Sequence, residues 1–476
     1  MAEITQAIYE DERYVPETNS QVLAKLEKWQ DLKFGLLMHW GAYCQWGIVE
    51  SWSLCPEDYD WCRRTKGSNP QDYETYRQEY EALPEQFNPT KFNPEKWADA
   101  AAKAGMKYVV FTTKHHDGFC MYDSQYTDYK ITNPNYPFSK NENRDITKEI
   151  FESFRKEGLW TGVYFSKPDW NSPLYWNPNL PIKDRNVNYE PAENPKEWQK
   201  FTDFTHNQIL ELLGNYGKID ILWLDGGWVA KTSQQEVDDW KKQQAESLAK
   251  GVYMHSMVNQ DIKMDQLVEK ARKIQSDLIV VDRAVYGKNQ NYLTPENRVP
   301  DKPLPYPWES CIISGGGWTH TRDAKYMSGR EAIQMLVDIV VKGGNLLLNI
   351  APTPEGEWQP GAYRLLKEFE EWMKVNSEAI YNSRLLEPYK KGKICYARQR
   401  NEVFNFFYLA DAGETQIPKE IFIPDFMPVS IAKVKLLGCD EELEWELGCD
   451  GIKVFIPEAV RNNPPCDYVW TIQVKE

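Results

Sequence analysis

The sequence predicts an α/β fold in which a TIM-like (β/α) barrel is followed by a small C-terminal all-β sandwich. Apolar runs of strand length alternate with helical segments through most of the chain, which is typical of a parallel sheet covered by helices. Polar and aromatic residues follow the end of nearly every run. Past Arg384 the long helical periodicity stops, and short runs of alternating polarity replace it.

Seven apolar segments are predicted to be strands of the barrel. Each has the composition and the length of a parallel strand that is buried on both faces. The segments are residues 34–40, 108–114, 162–166, 218–225, 277–283, 311–314 and 345–351. The chain between most of these segments is long enough for the crossover helix that parallel strands require.

Start and stop signals place helices between these strands. Asn93 and Pro94 suit the N-cap and first position of a helix that ends at Gly105. The same kinds of signal predict three more helices: from Asp145 to Gly158, from Asn194 and Pro195 to near Gly217, and from Ser328 to Lys342. Strands and helices therefore alternate, as a barrel requires.

A closed barrel explains the strand ends better than an open sheet does. In a barrel the C-terminal ends of all strands converge on one mouth, which is where TIM-barrel enzymes carry their active sites. An open doubly wound sheet concentrates its site at one crevice, often beside a glycine-rich phosphate turn. No Gly-x-Gly-x-x-Gly or P-loop pattern follows any predicted strand.

Two domains are predicted: residues 1–384 as the catalytic barrel and residues 385–476 as the β-sandwich. The sandwich prediction depends on short alternating runs at 394–398, 403–408, 431–437, 452–456 and 468–474. Their length and spacing are typical of antiparallel strands in a sandwich.

Whole-chain composition excludes several classes of function. A net charge of −15 argues against nucleic acid and against an anionic membrane surface as partners. The longest apolar runs have strand length, so no transmembrane helix is predicted, and the N-terminus lacks the pattern of a leader. Nine scattered cysteines argue against a disulfide scaffold, although Cys44, Cys55 and Cys62 leave one bridge open.

The strand that ends at Asp225 carries the strongest functional signal. Because successive side chains of a strand point to opposite faces, Ile221, Trp223 and Asp225 share one face, and the carboxylate lies next to an indole. Trp228 follows the Gly-Gly pair. The chain holds 19 Trp and 27 Tyr, and such rings suit the CH face and the hydroxyls of a sugar. The tryptophans at or just beyond strand ends are Trp40, Trp46, Trp52, Trp223, Trp228 and Trp318.

Three histidines follow neighbouring strands, with His39 after the first and His115 and His116 after the second. Adjacent side chains project in different directions, and the six histidines form no His-x-x-x-His pair, so no metal site is expected. Neutral imidazoles at this position can instead donate hydrogen bonds to substrate hydroxyls. The clustering favours a functional site over three separate structural histidines.

These residues together resemble the retaining α-L-fucosidases of glycoside hydrolase family 29, over about residues 30–380. The motifs are His39-Trp40-Gly41, Thr113-Lys114-His115-His116-Asp117-Gly118-Phe119, Trp223-Leu224-Asp225-Gly226-Gly227, Val281-Asp282-Arg283 and Gly343-Gly344-Asn345-Leu346-Leu347-Leu348-Asn349-Ile350-Ala351-Pro352. Each motif alone is weak, but their combination in this order is highly specific.

The resemblance implies that Asp225 is the catalytic nucleophile and that a second carboxyl group, roughly 5–5.5 Å away, acts as acid and base. Glu296 is preferred for that role because it follows Arg283 at about the distance found in many members of the family. Glu309 is its rival, and Glu50 and Glu355 are more remote options. Glu309 could alternatively bind a substrate hydroxyl or orient Arg283.

The resemblance also implies a set of substrate-binding residues. We expect His39, His115, His116 and Trp52 to contact sugar hydroxyls, Tyr164 to lie near the nucleophile, and Arg283 to neutralise the carboxylate pair. Trp223 is expected to steer Asp225 or to wall the sugar, and Trp318 to contact the C5 methyl group of fucose. Many relatives have Glu directly before the Trp at position 52, whereas here Ser51 separates Glu50 from it.

The implied activity is a retaining exo-α-L-fucosidase that acts on fucosylated oligosaccharides or glycoconjugates without metal or cofactor. Two alternatives stay open: another retaining exo-glycosidase, such as an α-L-galactosidase, and a carbohydrate-binding pseudo-enzyme. The loops at 46–64 and 169–191 are expected to set linkage preference, with Trp176 in an aromatic platform for the leaving group. Oligomeric state is open, and relatives imply a periplasmic or secreted location if a leader has been removed.

Overall fold

A computed structural model describes residues 13–476, and its centre is a seven-stranded sheet in the order β5-β4-β3-β2-β1-β7-β6. All neighbouring strands are parallel. The strands are β1 (Phe34–Met38), β2 (Tyr108–Lys114), β3 (Trp160–Ser166), β4 (Ile221–Asp225), β5 (Ile279–Asp282), β6 (Glu309–Ile313) and β7 (Asn345–Asn349). The predicted fold class and all seven predicted strands are confirmed.

The helices largely alternate with these strands. They are α1 (Ser20–Leu32), α2 (Tyr73–Glu81), α3 (Pro94–Lys103), α4 (Ile146–Lys156), α5 (Pro195–Asn215), α6 (Gln234–Ala249), α7 (Met264–Ile274), α8 (Gly329–Val341), α9 (Pro360–Ile380) and the short α10 (Glu458–Asn462). The four predicted helices correspond to α3, α4, α5 and α8. Helices α1, α2, α6, α7 and α9 lie outside the segments for which the sequence supplied both a start and a stop signal.

The predicted helix starts follow from local chemistry. The Asn93 side chain accepts from the backbone N–H of Lys96, and Asp145 accepts from that of Lys148. Ser328 begins α8 with a reciprocal capping box to Glu331. These side chains satisfy backbone donors that have no partner inside the helix. Asn194 makes no such bond, so the start of α5 depends on Pro195 at its first position.

The two edges of the sheet, β5 and β6, are joined by an irregular segment at residues 287–297. Its Asn291 N–H donates to the Val280 carbonyl on the β5 side at 2.9 Å. On the other side, the Glu309 N–H donates to the Leu293 carbonyl at 2.9 Å, and Glu296 forms a parallel bridge with Cys311. The segment therefore occupies the gap where an eighth strand would stand, and it brings Glu296 to the mouth of the barrel.

The barrel interior is an apolar cluster built from alternate residues of the strands. Its members include Leu37, Val110, Tyr164, Ile221, Trp223, Val281, Cys311 and Leu347, all of them buried. Ile221 and Trp223 share this interior face, as their spacing predicts. At the opposite end from the mouth, Gly35 leaves room for the Tyr108 ring, since a Cβ atom there would lie only 2.4 Å from it.

The remainder of the chain forms two antiparallel sheets with a separate hydrophobic core. Their orders are β12-β15-β10-β9-β8 and β11-β14-β13. The strands are β8 (Arg384–Lys391), β9 (Ile394–Gln399), β10 (Val403–Leu409), β11 (Glu420–Pro424), β12 (Lys433–Leu436), β13 (Trp445–Leu447), β14 (Gly451–Phe455) and β15 (Val469–Lys475). Because α9 ends at Ile380 and β8 begins at Arg384, we propose a domain boundary here.

Two whole-chain expectations can be compared with the structure, and a third falls outside the described residues. All nine cysteines are free thiols, so the bridge considered for Cys44, Cys55 and Cys62 is not formed. Within residues 13–476 no helix combines the length and the apolar composition needed to cross a bilayer. The expectation about a leader concerns the first residues of the chain, and residues 1–12 lie outside the described part.

Candidate active site

Asp225 ends β4 at the mouth of the barrel, and several groups hold its carboxylate. The Tyr164 hydroxyl donates to Oδ2 at 2.7 Å, and Nη1 of Arg283 donates to Oδ1 at 3.2 Å. The Gly226 N–H donates to Oδ1 at 2.8 Å, and Nε2 of His116 lies 3.9 Å from Oδ2. Burial raises the pKa of Asp225, but Arg283, His116 and the Tyr164 hydrogen bond outweigh burial and leave it well below its ordinary value.

The two glycines after Asp225 are required by the tight turn. Gly226 has φ +83°, a backbone conformation that residues other than glycine rarely adopt. A Cβ atom there would lie 2.3 Å from Cδ of Pro168. At Gly227 a Cβ atom would lie 2.9 Å from both the Ala284 Cβ and the Arg283 carbonyl oxygen. The Gly-Gly pair thus allows the chain to turn close to Arg283 without pushing it away from Asp225.

Glu296 and Asp225 share one partner, Arg283. Nη2 of Arg283 donates to Oε2 of Glu296, while Nη1 donates to Asp225. The side chain of Glu296 is 33% exposed and that of Asp225 is 18% exposed, so substrate can reach both. A single guanidinium fork therefore brings the two carboxylates together at the barrel mouth, even though 70 residues of sequence separate them.

The rival carboxyl groups lie elsewhere. Glu309 is the first residue of β6, is fully buried, and accepts from the Tyr108 hydroxyl, which belongs to the first residue of β2. Strand starts lie at the opposite end of the barrel from strand ends, so the structure does not bring Glu309 to the mouth. Glu355 is exposed on the loop after β7.

Glu50 is closer to the site than its sequence position suggests. It is buried, and its Oε1 accepts from the Thr319 N–H at 3.1 Å, beside Trp318. Burial, helped by the charges of Glu296 and Asp225 and opposed by the Thr319 hydrogen bond, raises the pKa of Glu50 to about 8. Glu50 has φ +28°, and this unusual backbone turn has no signature in the sequence. The residue was therefore underrated by sequence reasoning.

The three histidines lie close together, as predicted, and side-chain hydrogen bonds support two of them. Nδ1 of His39 lies 3.2 Å from Oδ1 of Asn349, and Nδ1 of His115 lies 2.5 Å from the Ser51 hydroxyl. Nδ1 of His116 has no hydrogen-bond partner among residues 13–476. Burial lowers the pKa of all three, that of His39 to about 4 and that of His116 to about 3. The imidazoles are thus neutral near pH 7 and can donate or accept.

Both of these supporting residues were missed by the sequence analysis. Asn349 was interpreted only as part of the last strand, yet its side chain orients His39. Ser51 was noted only as an interruption before Trp52. Polar residues at a strand end and in an aromatic loop were the available signals, but neither names its partner. The turn at Gly118 also supports the cluster, since a Cβ atom there would clash with the Asp169 carboxylate.

The sequence suggested that His115 and His116 could not easily bind one metal ion because adjacent side chains project in different directions, but the structure brings the two rings together. The rings of His115 and His116 are 4.2 Å apart, and together with Asp225 they present ligand atoms within 4.8 Å of one another. That spacing would suit a metal ion. However, Asp225 also accepts from Arg283, so a divalent cation would lie beside a guanidinium. The residues therefore fit a neutral hydroxyl-bearing ligand better than a cation.

Aromatic side chains wall the histidine side of the site. The Trp52 ring lies 5.1 Å from His116 and 5.5 Å from Trp228, with the Arg185 guanidinium 4.7 Å above its centroid. The predicted platform at Trp176 is wrong. Trp176 is buried, stacks on Trp170 at 5.3 Å and donates its indole N–H to the Asn186 carbonyl.

Trp318 and Trp223 occupy two other sides of the site. Trp318 is partly exposed, and its ring lies 5.2 Å from that of His39. Trp223 is buried below the mouth, where its ring stacks on Tyr164 at 5.3 Å and lies 5.2 Å from the Arg283 guanidinium carbon. The site therefore combines two carboxylates, three neutral imidazoles and exposed indoles, a set suited to breaking a glycosidic bond.

Comparison with known proteins agrees with this chemistry. A family model described as alpha-L-fucosidase matches residues 1–378. The tissue alpha-L-fucosidase of Bos taurus is 28% identical over 97% of this chain and 91% of its own length, and that of Rattus norvegicus is 27% identical over 97% and 92%.

Among solved structures, alpha-L-fucosidase isoenzyme 1 from Paenibacillus thiaminolyticus matches with a TM-score of 0.73 and 26% identity, covering 96% of this chain and 99% of its own. The Thermotoga maritima alpha-fucosidase matches with a TM-score of 0.70 at 23% identity, covering 97% and 100%. The chain therefore belongs to the α-L-fucosidase family, glycoside hydrolase family 29.

Proposed function

We propose that this protein is a retaining exo-α-L-fucosidase that releases terminal α-L-fucose from glycans by double displacement. The observation that carries the proposal is the bridging of Asp225 and Glu296 by Arg283. A retaining glycosidase needs its two carboxyl groups roughly 5–5.5 Å apart. Two carboxylates bound to the two ends of one guanidinium fork agree with such a short separation.

In the first step Asp225 attacks the anomeric carbon of fucose. Its low pKa keeps the carboxylate ionised, and the bonds from Tyr164 and Arg283 fix the orientation of both oxygens. As the bond to Asp225 forms and the glycosidic bond breaks, Glu296 gives its proton to the departing oxygen. In the second step Glu296 takes a proton from water, whose oxygen attacks the same carbon and releases Asp225.

Substrate recognition is assigned to the neutral histidines and the aromatic wall. His39, His115 and His116 would bind the hydroxyls of fucose, with Trp52 beside His116. Trp318 would present an apolar face near His39, which suits the C5 methyl group. An α-L-galactoside carries a hydroxyl on that carbon, so the indole argues for fucose over galactose. The position of Glu309 at the other end of the barrel supports Glu296 over Glu309 as the acid.

A structural neighbour supports the covalent step. An alpha-L-fucosidase of family 29 from Bacteroides thetaiotaomicron, with a TM-score of 0.71 and 22% identity, was solved as a trapped covalent intermediate with 2-fluoro-fucosyl fluoride. The likeness at this identity concerns the fold, so the intermediate is an expectation for this chain. Its counterpart here would be an ester between fucose and Asp225.

The decisive experiment measures hydrolysis of an aryl α-L-fucoside by the wild type and by Asp225→Ala, Glu296→Ala and Glu309→Ala, with and without azide. Azide needs no general base, so fucosyl azide of retained configuration should form only with Glu296→Ala, whereas azide acting in place of Asp225 in Asp225→Ala would give the inverted product. Glu371→Ala, an exposed change on α9, is the matched control. Rescue of Glu309→Ala would assign the acid/base role to Glu309 instead of Glu296. An inactive wild type would favour another sugar or a binding function.

A further inference from the structure

A group of polar side chains is buried at the floor of the barrel, opposite the mouth. Glu309 accepts from the Tyr108 hydroxyl, yet its other oxygen, Oε1, has no hydrogen-bond partner among the described residues. The Trp223 indole N–H and the Tyr292 hydroxyl are likewise buried and unpaired there. A buried carboxyl group without full hydrogen bonding is costly, so its presence calls for an explanation.

Trp223 and Tyr292 belong to the same packed interior cluster as Tyr108, whose hydroxyl binds Glu309. Burial raises the pKa of Glu309 to about 7, and the neighbouring donors Tyr108, Trp223 and Tyr292 act in the opposite direction. The Trp223 indole N–H and the Tyr292 hydroxyl are therefore donors available to Oε1 of Glu309, although neither forms a hydrogen bond with it in the structure. Both are donors and Oε1 is an acceptor, so a small shift would satisfy the set.

Trp223 connects this floor to the reacting carboxylate. It lies two residues before Asp225 on β4, and the faces of its ring contact both groups that orient Asp225. One is Tyr164, which stacks on the indole at 5.3 Å and donates to Oδ2 of Asp225 at 2.7 Å. The other is Arg283, whose guanidinium carbon lies 5.2 Å from the ring and which donates to Oδ1 at 3.2 Å.

We propose that Glu309 is a positioning residue for the nucleophile, which accepts the Trp223 indole N–H at the barrel floor and thereby fixes the ring that supports Tyr164 and Arg283. The proposal rests on the function proposed above for Asp225. It gives Glu309 no contact with substrate and no proton transfer. It explains why a carboxyl group is buried at the floor of the barrel.

A double-mutant cycle tests this role. Glu309→Leu removes the acceptor, and Trp223→Phe removes the indole N–H but keeps an aromatic ring. If Glu309 acts through Trp223, each single variant and the double variant should lose a similar factor in kcat, roughly 10- to 100-fold, with KM changed by less than about threefold. Glu309→Gln keeps an acceptor and should recover most of the loss. Multiplicative losses in the double variant would overturn the proposal.

Labelling by 2-fluoro-fucosyl fluoride gives a second readout, since it measures attack by the nucleophile itself. The labelling rate should fall in parallel with kcat in Glu309→Leu and Trp223→Phe. Trp29→Phe is the matched control, because it removes another buried, unpaired indole N–H from the same interior cluster, on α1. Its thermal stability should change while its labelling rate stays within about twofold.

The outcomes separate the two proposals. A wild type that neither hydrolyses an aryl fucoside nor becomes labelled would contradict the proposed function. An active wild type combined with unchanged kcat in Trp223→Phe would overturn the positioning role alone, even if Glu309→Leu fails to fold. Azide rescue of Glu309→Leu with formation of fucosyl azide would also overturn it, because that result assigns acid catalysis to Glu309.

Discussion

Lys167 and Asp282 form a buried ion pair across the strand that carries Asp225. Nζ of Lys167 lies 2.5 Å from Oδ1 of Asp282, and the side chains are 0% and 2% exposed. Lys167 follows β3 and Asp282 ends β5, so the pair spans β4. The Lys167 N–H also donates to the Asp225 carbonyl at 3.0 Å. The ion pair thus ties together the strand ends that present Asp225 and Arg283.

Breaking this pair should destabilise the protein strongly. Lys167→Met leaves Asp282 buried without a partner, so we expect the free energy of unfolding to fall by about 3–5 kcal/mol in urea titrations. The double variant Lys167→Met/Asp282→Leu should recover part of that loss. Lys103→Met, which breaks an exposed pair with Asp99, serves as control and should cost less than about 1 kcal/mol. An equal loss of unfolding free energy in Lys167→Met and in Lys103→Met would contradict the prediction.

Arg283→Lys should reduce activity while preserving the fold. Lysine keeps the charge but presents one point instead of a fork, so it cannot bind Asp225 and Glu296 in the observed geometry. We expect kcat on an aryl fucoside to fall roughly 100-fold, with only a small change in melting temperature. Activity near that of the wild type in Arg283→Lys would show that charge alone suffices.

Glu50 should make stability depend on pH on the alkaline side. The folded protein holds its proton up to about pH 8, whereas the unfolded chain releases it near the ordinary value of 4.5. The folded state therefore binds more protons between these values, and its stability falls as the pH rises through them. Glu50→Gln should remove this loss, which is about 5 kcal/mol across the window. Parallel unfolding curves for both proteins from pH 5 to pH 9 would contradict the assignment.

Activity should not depend on a metal ion. His115, His116 and Asp225 have a spacing that a cation could bridge, but Arg283 occupies the other oxygen of Asp225. Dialysis against a strong chelator is expected to leave kcat and KM of the wild type within about twofold. The contrary result would be a loss of activity that added zinc or manganese restores.

Trp318 should contribute to the choice of sugar. Replacing it with Asn puts a polar group near His39, where the indole now lies. Because one methyl group in an apolar pocket is worth about 1–3 kcal/mol, kcat/KM for an aryl α-L-fucoside should fall roughly tenfold or more. The ratio of α-L-galactoside to α-L-fucoside turnover should rise. An unchanged ratio would place the C5 substituent elsewhere.

Local sequence patterns accounted for most of the fold. The seven strands were visible because each is buried on both faces, which requires continuous apolar residues. Helix starts at Asn93, Asp145 and Ser328 were visible because a capping side chain acts on residues two or three positions away. Helices such as α7 were harder, since Lys263 precedes it in a left-handed conformation without a cap bond.

The same distinction between local and non-local information applies to the site residues. Asp225 and the three histidines could be named from sequence because each follows a strand, and strand ends of a barrel converge by topology. Which glutamate joins Asp225 depends instead on the path of the segment at 287–297, whose bridges to β5 and β6 are non-local. The same reasoning failed for Trp176, since an aromatic residue in a loop can pack inward or face the substrate.

The sequence by itself determined the order of the seven barrel strands, four of the helices, the barrel class, and the position of Asp225 and three histidines at strand ends, because periodicity, caps and strand ends are local properties. Only the tertiary structure decided that Glu296 shares Arg283 with Asp225 while Glu309 lies at the barrel floor. It also decided that Asn349 and Ser51 orient the histidines. These relationships join residues far apart in the chain, and only the folded path of the backbone sets the distances between them.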